Sequence, residues 1–494
     1  MKTFYVTTPI YYSNGIPHIG HAYASFIADV LAKHRRNLGF EVKFSTGVDE
    51  NSQKVVEKAA EAGMGIMEYC DSMAGKHQAI WDGLGITYTD FVRTTTDQHK
   101  AFVQGVLQKS FDNGDIYLGE YEGLYCVGCE AFKKASDLTE DGLCPDHKKK
   151  PDVIKEKNYF FRLSKYEAAL KELFAGNPDF IVPRTRGNEV VSFIEEGLED
   201  FSISREGSTF GIPLPFDGSH VTYVWYDALF NYVSACEGGD EKFWPADVHV
   251  VGKDIIRFHA IFWPAMLMSA GYALPKNILA TGHFTIDGQK ISKSLGNAID
   301  PVEFCGRYPK ELLLLYLLTS FPIGQDGDFS VEQAVNAFNA KLANNLGNLL
   351  NRFLVLSLKQ GGKIDGLMDG EVEAKKTAFV ETFQKAMDGY DLRAALESAF
   401  EFGDVLNKFV DTKKPWDKEA TGVVDTLHTV GEGLRAMAIC LMPFFPEKMS
   451  ELLDRMGLAS QRERLLAGKY SEVVAEKTAF SVAEKGEPLF QRIA

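Results

Sequence analysis

Residues 3–21 read TFYVTTPIYYSNGIPHIGH and decide the fold. The first eight of them are β-branched, aromatic or otherwise strand-like, Asn14–Pro17 predicts a turn, and apolar positions within 20–38 recur at helical spacing. Gly39 predicts the end of that helix, and 40–44 predicts a second strand. A strand, a helix and a strand in this order indicate a βαβ unit, so we expect an α/β, doubly wound parallel sheet.

Composition excludes several classes of protein. The chain has 494 residues, of which 45% are hydrophobic and 24% charged, which is enough for two to four domains. We find no run of 18 or more apolar residues and expect no membrane span. The formal net charge of −15 argues against a protein that coats nucleic acid indiscriminately, because phosphate contacts need a local cationic surplus. The sequence runs straight into a predicted strand without a targeting leader, so a cytoplasmic location is expected.

The second half of the sheet is predicted from three later strand signals, at 221–226, 248–251 and 278–285. Helical spacing near 254–271 and 309–319 falls between and after them. A turn-rich stretch separates these signals from the opening unit. We therefore expect an insertion between the two halves of a Rossmann-like fold.

Four regions are expected along the chain. Residues 1–115 and 216–329 form the two halves of the Rossmann-like domain, and 116–215 form a connective insertion. Ser330–Gln333 has a helix-capping pattern, and apolar residues recur every three to four positions after it. Residues 330–494 are therefore expected to form an all-α helix bundle.

The loop after the first strand carries the motif HIGH at 18–21, at the start of the predicted helix. Backbone N–H groups and the helix dipole favour an anion there, and Gly20 lets a phosphate approach without a Cβ in the way. The imidazoles of His18 and His21 can donate hydrogen bonds as negative charge builds up in a transition state. The alternative is a pair of incidental surface histidines, which the position directly after the first strand disfavours.

A second motif, KISKS at 290–294, lies in a loop flanked by Gly and Asn. The ammonium groups of Lys290 and Lys293 can close over a triphosphate and neutralise the leaving pyrophosphate. Alone, such a pentapeptide is usually a solvated turn. Its position 269 residues after His21 (290 minus 21), in a chain that already has the first motif, favours the catalytic interpretation.

Three cysteines and a histidine form two close pairs, Cys126 with Cys129 and Cys144 with His147. Zinc prefers four such ligands in a tetrahedron, and this spacing predicts one structural zinc knuckle. The alternatives are reduced cysteines beside a chance histidine, or a redox pair, which leaves the second pair unexplained. The remaining cysteines are expected in the core: Cys70, Cys236, Cys305 and Cys440.

Together, the motifs at 18–21 and 290–294 match the signatures of class I aminoacyl-tRNA synthetases. The surrounding sequence resembles the methionyl-tRNA synthetase family of this class, and the resemblance covers essentially the whole chain. The segments that carry it are PIYYSNG at 9–15, EKNYFF at 156–161, VWYDA at 224–228, GKDIIRFHAIFWPA at 252–265 and PLFQRI at 488–493.

This resemblance implies a methionine–tRNA ligase of protein biosynthesis. Such an enzyme activates L-methionine with Mg²⁺-ATP to methionyl-adenylate and transfers the methionyl group to the 3′ adenosine of tRNA(Met). The implied catalytic residues are His18, His21, Lys290 and Lys293. The implied ATP-binding residues are Gly20, His21, Asp254 and Lys293.

The resemblance also implies an amino-acid pocket. Asp49 would pair with the substrate ammonium group, and the methionine side chain would be surrounded by Ile10, Tyr12, Trp225 and Tyr232. A polarisable thioether prefers aromatic edges, so such a pocket suits methionine. Taken without the family, Trp225 and Tyr232 are more often plain core residues.

The sequence departs from the family's pattern at two places. Asn51-Ser52 follows Asp49-Glu50 where the family commonly has His-Gly, and Thr281-Gly282-His283 stands where His-Gly is usual. The contribution of both segments to substrate recognition therefore stays open. Ile291 in place of the usual Met of the lysine loop is a mild change.

In the helical region the resemblance implies anticodon binding by Asn348, Arg352 and Trp416. Asn348 and Arg352 are four residues apart and share a helix face, and an anticodon base can stack on Trp416. The alternative is that Trp416 covers the core at a helix end and that Asn348 and Arg352 are an ordinary surface pair. No oligomer-forming module follows the predicted bundle, so a monomer is expected.

Rival classes of protein explain the sequence less well. Small-molecule nucleotidyltransferases share the first motif but do not need about 200 residues (494 minus 294) of helices after the lysine loop. Synthetases for valine, isoleucine and leucine carry large editing insertions, for which a separation of 269 residues leaves little space. A cysteine enzyme needs its zinc near the amino-acid pocket, and a non-catalytic tRNA-binding relative does not need both motifs.

Overall fold

The structure is a computed structural model that describes residues 2–127, 131–133, 137–145, 148–208, 210–286, 288–291 and 299–494. Within these ranges the side chains at 121–123, 131–132, 154–156 and 290 are outside the description. The predicted site residues Cys129, His147 and Lys293, and the side chain of Lys290, therefore lie outside the described part of the chain.

The chain opens with alternating strands and helices, which confirms the predicted βαβ unit. Its elements are β1 (Thr3–Tyr12), α1 (Ile19–Asn37), β2 (Glu41–Asp49), α2 (Gln53–Glu61), α3 (Ile66–Leu84), β3 (Asp90–Arg93) and α4 (Asp97–Asp112). Gly39, directly after α1, has a φ of 83°, the left-handed conformation that a glycine adopts at low cost at a helix end.

The next stretch is built mainly from short strands. It contains β4 (Ile116–Cys126), β5 (Ala131–Lys133), β6 (Asp152–Phe161), α5 (Glu167–Gly176), β7 (Ile181–Val182), α6 (Arg184–Glu195), β8 (Phe201–Ser202), β9 (Ser204–Glu206), β10 (Pro213–Leu214) and β11 (Asp217–Thr222). A 3₁₀ turn at Leu163–Tyr166 precedes α5.

The chain then returns to alternating elements. These are α7 (Val224–Leu229), α8 (Asn231–Ser234), β12 (Val248–Gly252), α9 (Trp263–Ala270), β13 (Asn277–Thr281), β14 (Phe284–Ile286), β15 (Gln289–Lys290), α10 (Pro301–Arg307), α11 (Lys310–Thr319) and β16 (Gly327–Asp328). Short 3₁₀ turns lie at Glu241–Phe243 and Lys253–Ile255, and Phe258–Phe262 forms a π-helical turn before α9.

The main sheet has six parallel strands in the order β3-β2-β1-β12-β13-β7. The order reverses between β1 and β12, which is the position where open α/β sheets bind ligands. Strand β7 pairs with β13 although it comes from the stretch between the two halves of the sheet. The neighbouring stretch forms an antiparallel sheet in the order β5-β4-β6-β8 and a smaller one in the order β10-β11-β9.

Two predicted strands are shorter than the sequence indicates. The run 221–226 is rich in β-branched and aromatic residues, but β11 ends at Thr222 and Val224 begins α7. The Tyr223 N–H still donates to the Ile203 carbonyl at 2.7 Å, in register with the pairing of Thr222 and Ser204, and the chain turns into α7 directly after it. The run 278–285 is divided between β13 and β14, which belong to different sheets. Gly282 separates them at a close approach, where a Cβ would lie 1.8 Å from the Gln325 carbonyl oxygen.

The remaining residues are mainly helical, as predicted. They form α12 (Val331–Phe338), a π-helical segment (Asn339–Gly347), α13 (Asn348–Lys359), β17 (Lys363–Ile364), α14 (Gly370–Asp388), α15 (Leu392–Lys413), α16 (Val423–Leu441), α17 (Pro446–Arg455), α18 (Ala459–Leu466), α19 (Tyr470–Ala475) and β18 (Phe480–Ser481). The Ser330 hydroxyl accepts the Gln333 N–H at the start of α12, which confirms the predicted cap.

Helix α16 is the centre of this helical region. Every residue from Thr426 to Leu441 is buried, as expected for a helix surrounded by others. The apolar core continues from here through α11 to β1 and α1. Within the described ranges, none of the helices combines the length and the apolar character that a bilayer crossing needs.

Candidate functional site

The carboxyl ends of β1, β12 and β13 open into one cavity of about 600 Å³. Nine of the predicted catalytic, ATP-binding and methionine-binding residues line it. They are Ile10, Tyr12, His18, Gly20, His21, Asp49, Trp225, Tyr232 and Asp254. Residues from both halves of the sheet therefore meet in one place.

The two histidines of the HIGH motif are held by backbone N–H groups at the start of α1. The His18 Nδ1 accepts the Gly20 N–H at 3.1 Å, and the His21 Nδ1 accepts the His18 N–H at 3.1 Å. The ring centroids are 3.9 Å apart. Because both Nδ1 atoms accept hydrogen bonds, the hydrogen of each neutral ring is on Nε2. Both rings can therefore act as Nε2–H donors beside the helix N-terminus.

The end of the cavity lined by Trp225 is aromatic. The Trp225 indole stacks on Phe258 with centroids 3.9 Å apart and an interplanar angle of 5°. Tyr12 meets the indole edge-on, with centroids 6.5 Å apart. These rings form a wall that suits an apolar, polarisable side chain.

Tyr232 is buried below this wall and is fixed by a histidine that had been assigned no role from the sequence. The His259 Nδ1 lies 3.0 Å from the Ile255 carbonyl, which can only accept, so Nδ1 carries the hydrogen. The His259 Nε2 therefore accepts from the Tyr232 hydroxyl at 2.7 Å. Burial lowers the pKa of His259 to about 4, so the ring is neutral at physiological pH. In the sequence, His259 stands out only as part of the segment 252–265, which carries the family resemblance.

The chain is similar to known proteins over nearly its whole length. The family described as "tRNA synthetases class I (M)" matches residues 4–152 and 136–354. A methionine–tRNA ligase of Thermotoga maritima is 41% identical over 99% of this chain and 80% of its own length. A methionine–tRNA ligase of Rickettsia conorii is 42% identical over 94% of both chains.

The chain belongs to the methionyl-tRNA synthetase family. As a member of it, the chain is a methionine–tRNA ligase. A solved methionyl-tRNA synthetase of Mycobacterium tuberculosis in complex with methionyl-adenylate has the same fold, with a TM-score of 0.93 and 36% identity over 100% of both chains. The apo form of the M. tuberculosis enzyme gives a TM-score of 0.88 at 33% identity.

The first departure from the family's pattern forms a buried contact beside the cavity. The Asn51 Nδ2 donates to the Asp227 carboxylate at 2.7 Å and to the Thr94 carbonyl at 3.0 Å. Asn51 and Asp227 are 6% and 0% exposed. The contact connects the end of β2, which carries Asp49, to α7, which carries Trp225. Burial raises the pKa of Asp227 from 3.8 to about 8, and the hydrogen bond from Asn51 opposes this shift.

The second departure places a histidine beside the predicted ATP residue. The His283 Nε2 lies 3.1 Å from Asp254 Oδ1, and both residues line the cavity. Sequence reasoning could name the unusual Thr281-Gly282-His283 segment, but the partner of His283 is 29 residues away (283 minus 254) and depends on the pairing of β12 with β13.

Two of the four residues of the zinc cluster that the spacing predicts can be described. Cys126 at the end of β4 is 3% exposed and Cys144 is 0% exposed. The Cys144 carbonyl accepts the Lys148 N–H at 2.7 Å. Two buried thiols fit a closed zinc site. In the portion of the chain that can be described, no group of three or more metal-binding side chains is found, and Cys129 and His147 are not in that portion.

The three residues that the family assigns to the anticodon are close together in the helical region. Asn348 and Arg352 lie one turn apart on α13, and the Arg352 guanidinium lies 5.0 Å from the centre of the Trp416 ring. Arg352 also pairs with Asp411. Trp416 is 45% exposed, so it is not a core residue. An exposed indole beside a cation is able to stack on a base.

Asp227→Asn is predicted to remove a pH dependence of stability. The pKa of this carboxyl is higher in the folded state than in the unfolded state. Its contribution to stability is therefore fully present below the pKa of the unfolded state, and it is lost as the pH rises to the pKa of the folded state. The free energy of unfolding of the wild type, relative to Asp227→Asn, should fall by on the order of 1 kcal/mol per pH unit between about pH 5 and 8 and then level off. Urea titrations of both proteins across pH 5–9 measure this difference. Parallel curves would show that Asp227 is ionised at neutral pH.

Proposed function

We propose that the cavity holds methionine at its aromatic end. The side chain lies among Ile10, Tyr12, Trp225 and Tyr232, and its ammonium group pairs with the Asp49 carboxylate. The support is the grouping of these residues around one cavity and the 4% exposure of Asp49 at the end of β2. A carboxylate that is buried to this extent is stabilised by a cationic partner.

Adenylate formation then needs positioning and charge stabilisation rather than a protein nucleophile. An oxygen of the methionine carboxylate forms a bond to the α-phosphorus of ATP, and the bond from this phosphorus to the bridging oxygen of pyrophosphate breaks. His18 and His21 donate their Nε2–H groups to phosphate oxygens while negative charge develops around the pentacovalent phosphorus. Gly20 gives the phosphates access to the helix N-terminus. Mg²⁺ enters with ATP, and the ribose is held by Asp254.

The observation that carries this proposal is that the Nδ1 atoms of both histidines accept backbone N–H groups at the start of α1, from Gly20 to His18 and from His18 to His21, which leaves the hydrogen of each ring on Nε2. Lys290 and Lys293 are assigned to the leaving pyrophosphate on the sequence motif alone. The fold shared with an M. tuberculosis enzyme that binds methionyl-adenylate supports the same intermediate here.

In the second step the hydroxyl of the terminal adenosine of tRNA(Met) attacks the acyl carbon, and AMP leaves. The helical region, 330–494, selects the tRNA through Asn348, Arg352 and Trp416. Residues 1–115 and 216–329 are assigned to the catalytic domain, and residues 116–215 to the connective insertion. A cytoplasmic monomer stays a prediction from the sequence.

One structural zinc is proposed in the insertion, with Cys126, Cys129, Cys144 and His147 as ligands. When bound, the metal would join the end of β4 to the loop after it and stabilise this part of the chain. It takes no part in the reaction, because no proposed substrate contact involves these residues.

Lys293→Ala should slow adenylate formation by about 100-fold or more, because removing a charge that stabilises the transition state costs rate rather than affinity. Methionine binding should change little. Stopped-flow measurement of adenylate formation and a methionine binding isotherm test this, with the exposed Lys485→Ala as the matched control. An unchanged rate together with lost methionine affinity would contradict the assignment.

Metal analysis of the purified protein should find one zinc per chain. Cys144→Ser should lose the metal and lower the melting temperature, because removal of one ligand opens the site and leaves its partners without a metal. Cys305→Ser, which changes a partly buried cysteine outside the cluster, should keep it. A folded and active preparation without zinc would reject the proposed site.

Trp416→Ala should remove roughly 1–3 kcal/mol of tRNA interaction, the usual contribution of a base stacked on an aromatic ring. Aminoacylation should therefore fall by about tenfold or more, whereas methionine-dependent pyrophosphate exchange and the melting temperature should stay nearly constant. Leu466→Ala removes another exposed apolar side chain of the helical region and serves as the control. Equal loss of both activities with a large drop in melting temperature would refute the anticodon role.

A further inference from the structure

His283 enters the cavity from the end of β13, next to the strand whose end carries Asp254. Its imidazole Nε2 lies 3.1 Å from Asp254 Oδ1, close enough for the Nε2–H to donate to the carboxylate. The side chains of His283 and Asp254 are 30% and 56% exposed, so the pair faces open space in the cavity.

The backbone of His283 is held firmly from both sides. Its N–H donates to Asp326 Oδ1 at 2.9 Å, and its carbonyl accepts the Gly327 N–H at 3.0 Å. Gly282 before it packs against the Gln325 carbonyl so closely that a Cβ does not fit. The backbone that carries the imidazole is therefore fixed by the fold, and the imidazole itself contacts Asp254.

Asp326 extends this arrangement to the neighbouring lysine. Its second oxygen pairs with the Lys253 ammonium group at 2.5 Å. Asp326 therefore holds both Lys253 and the backbone of His283, and His283 in turn contacts Asp254. The two charged residues that follow β12 are thus each fixed by a partner from the stretch 283–326.

A carboxylate inside a cavity that receives a triphosphate repels the phosphates, so its favourable partners are hydroxyl donors. On ATP these donors are the 2′- and 3′-hydroxyl groups of the ribose. An exposed aspartate that accepts them loses side-chain freedom when it binds, and a partner that already orients it reduces this loss. Donation from an imidazole also lowers the charge that the carboxylate presents to the phosphates.

We propose that His283 is a positioning residue for ATP, which orients the Asp254 carboxylate so that it accepts hydrogen bonds from the ribose hydroxyl groups. This inference rests on the proposed contact between Asp254 and the ribose. It gives a function to the 281–283 segment, one of the two places where the sequence departs from the family's pattern.

The test measures methionine-dependent pyrophosphate exchange with ATP, 2′-deoxy-ATP and 3′-deoxy-ATP. His283→Ala should raise the KM for ATP about five- to tenfold with little change in kcat or in the KM for methionine. The preference for ATP over the deoxy analogues should fall to the value found for Asp254→Asn. His283→Gln, whose amide can still donate, should recover most of the affinity for ATP, and all variants should keep the wild-type melting temperature within a few degrees.

The double variant His283→Ala/Asp254→Asn should bind ATP no more weakly than Asp254→Asn alone, since both changes remove the same interaction. If Asp254→Asn lowers the preference for ATP and His283→Ala does not, or if the two losses add, His283 does not act through Asp254 and the inference is wrong. If Asp254→Asn itself leaves the preference unchanged, the proposed ribose contact is wrong, and the His283 inference is overturned with it.

Discussion

The parallel pairing of β1 with β12 is the interaction on which the site depends. These strands meet through Val6 with Val248 and Thr7 with His249, although 242 residues separate each pair along the chain. A buried side-chain hydrogen bond at the same register, from the His249 ring to the Thr7 hydroxyl at 2.7 Å, reinforces the contact. The His249 Nε2 accepts from the Trp263 indole N–H, so the hydrogen of the ring is on Nδ1, and burial lowers its pKa. A neutral ring in one tautomer thus fixes the register that brings the two halves of the cavity together.

The sequence predicts those elements of the structure that are determined by interactions between residues close together in the chain. The first strand, helix α1 and its histidine cap are encoded within residues 3–39, and the cap of α12 within four residues. The strand prediction for 221–226 was right for Val221 and Thr222, which lie in β11, and wrong from Val224 onwards, where α7 places the Trp225 indole at the cavity and Tyr226 in the core. Burial at a site overrides intrinsic preference there.

Contacts between distant residues were beyond prediction for a different reason. The resemblance named Tyr232 and Asp254, but their partners His259 and His283 become visible only when the sheet brings separate strands together. The sequence marks Asn51 as unusual for the family. Its hydrogen bond to Asp227, 176 residues further along the chain (227 minus 51), is visible only in the structure. Residue type and spacing therefore identify the residues that line the cavity better than the residues that hold them in place.

The position of β12 in the chain has a consequence for synthesis on the ribosome. Strand β1 lies in the middle of the sheet, yet the residues that cover one of its edges begin at Val248, 236 residues after β1 ends at Tyr12 (248 minus 12). At a translation rate of about 5–20 residues per second, this edge waits on the order of 10–50 s for its partner. During that time the nascent chain presents an unpaired strand edge of the kind that chaperones bind.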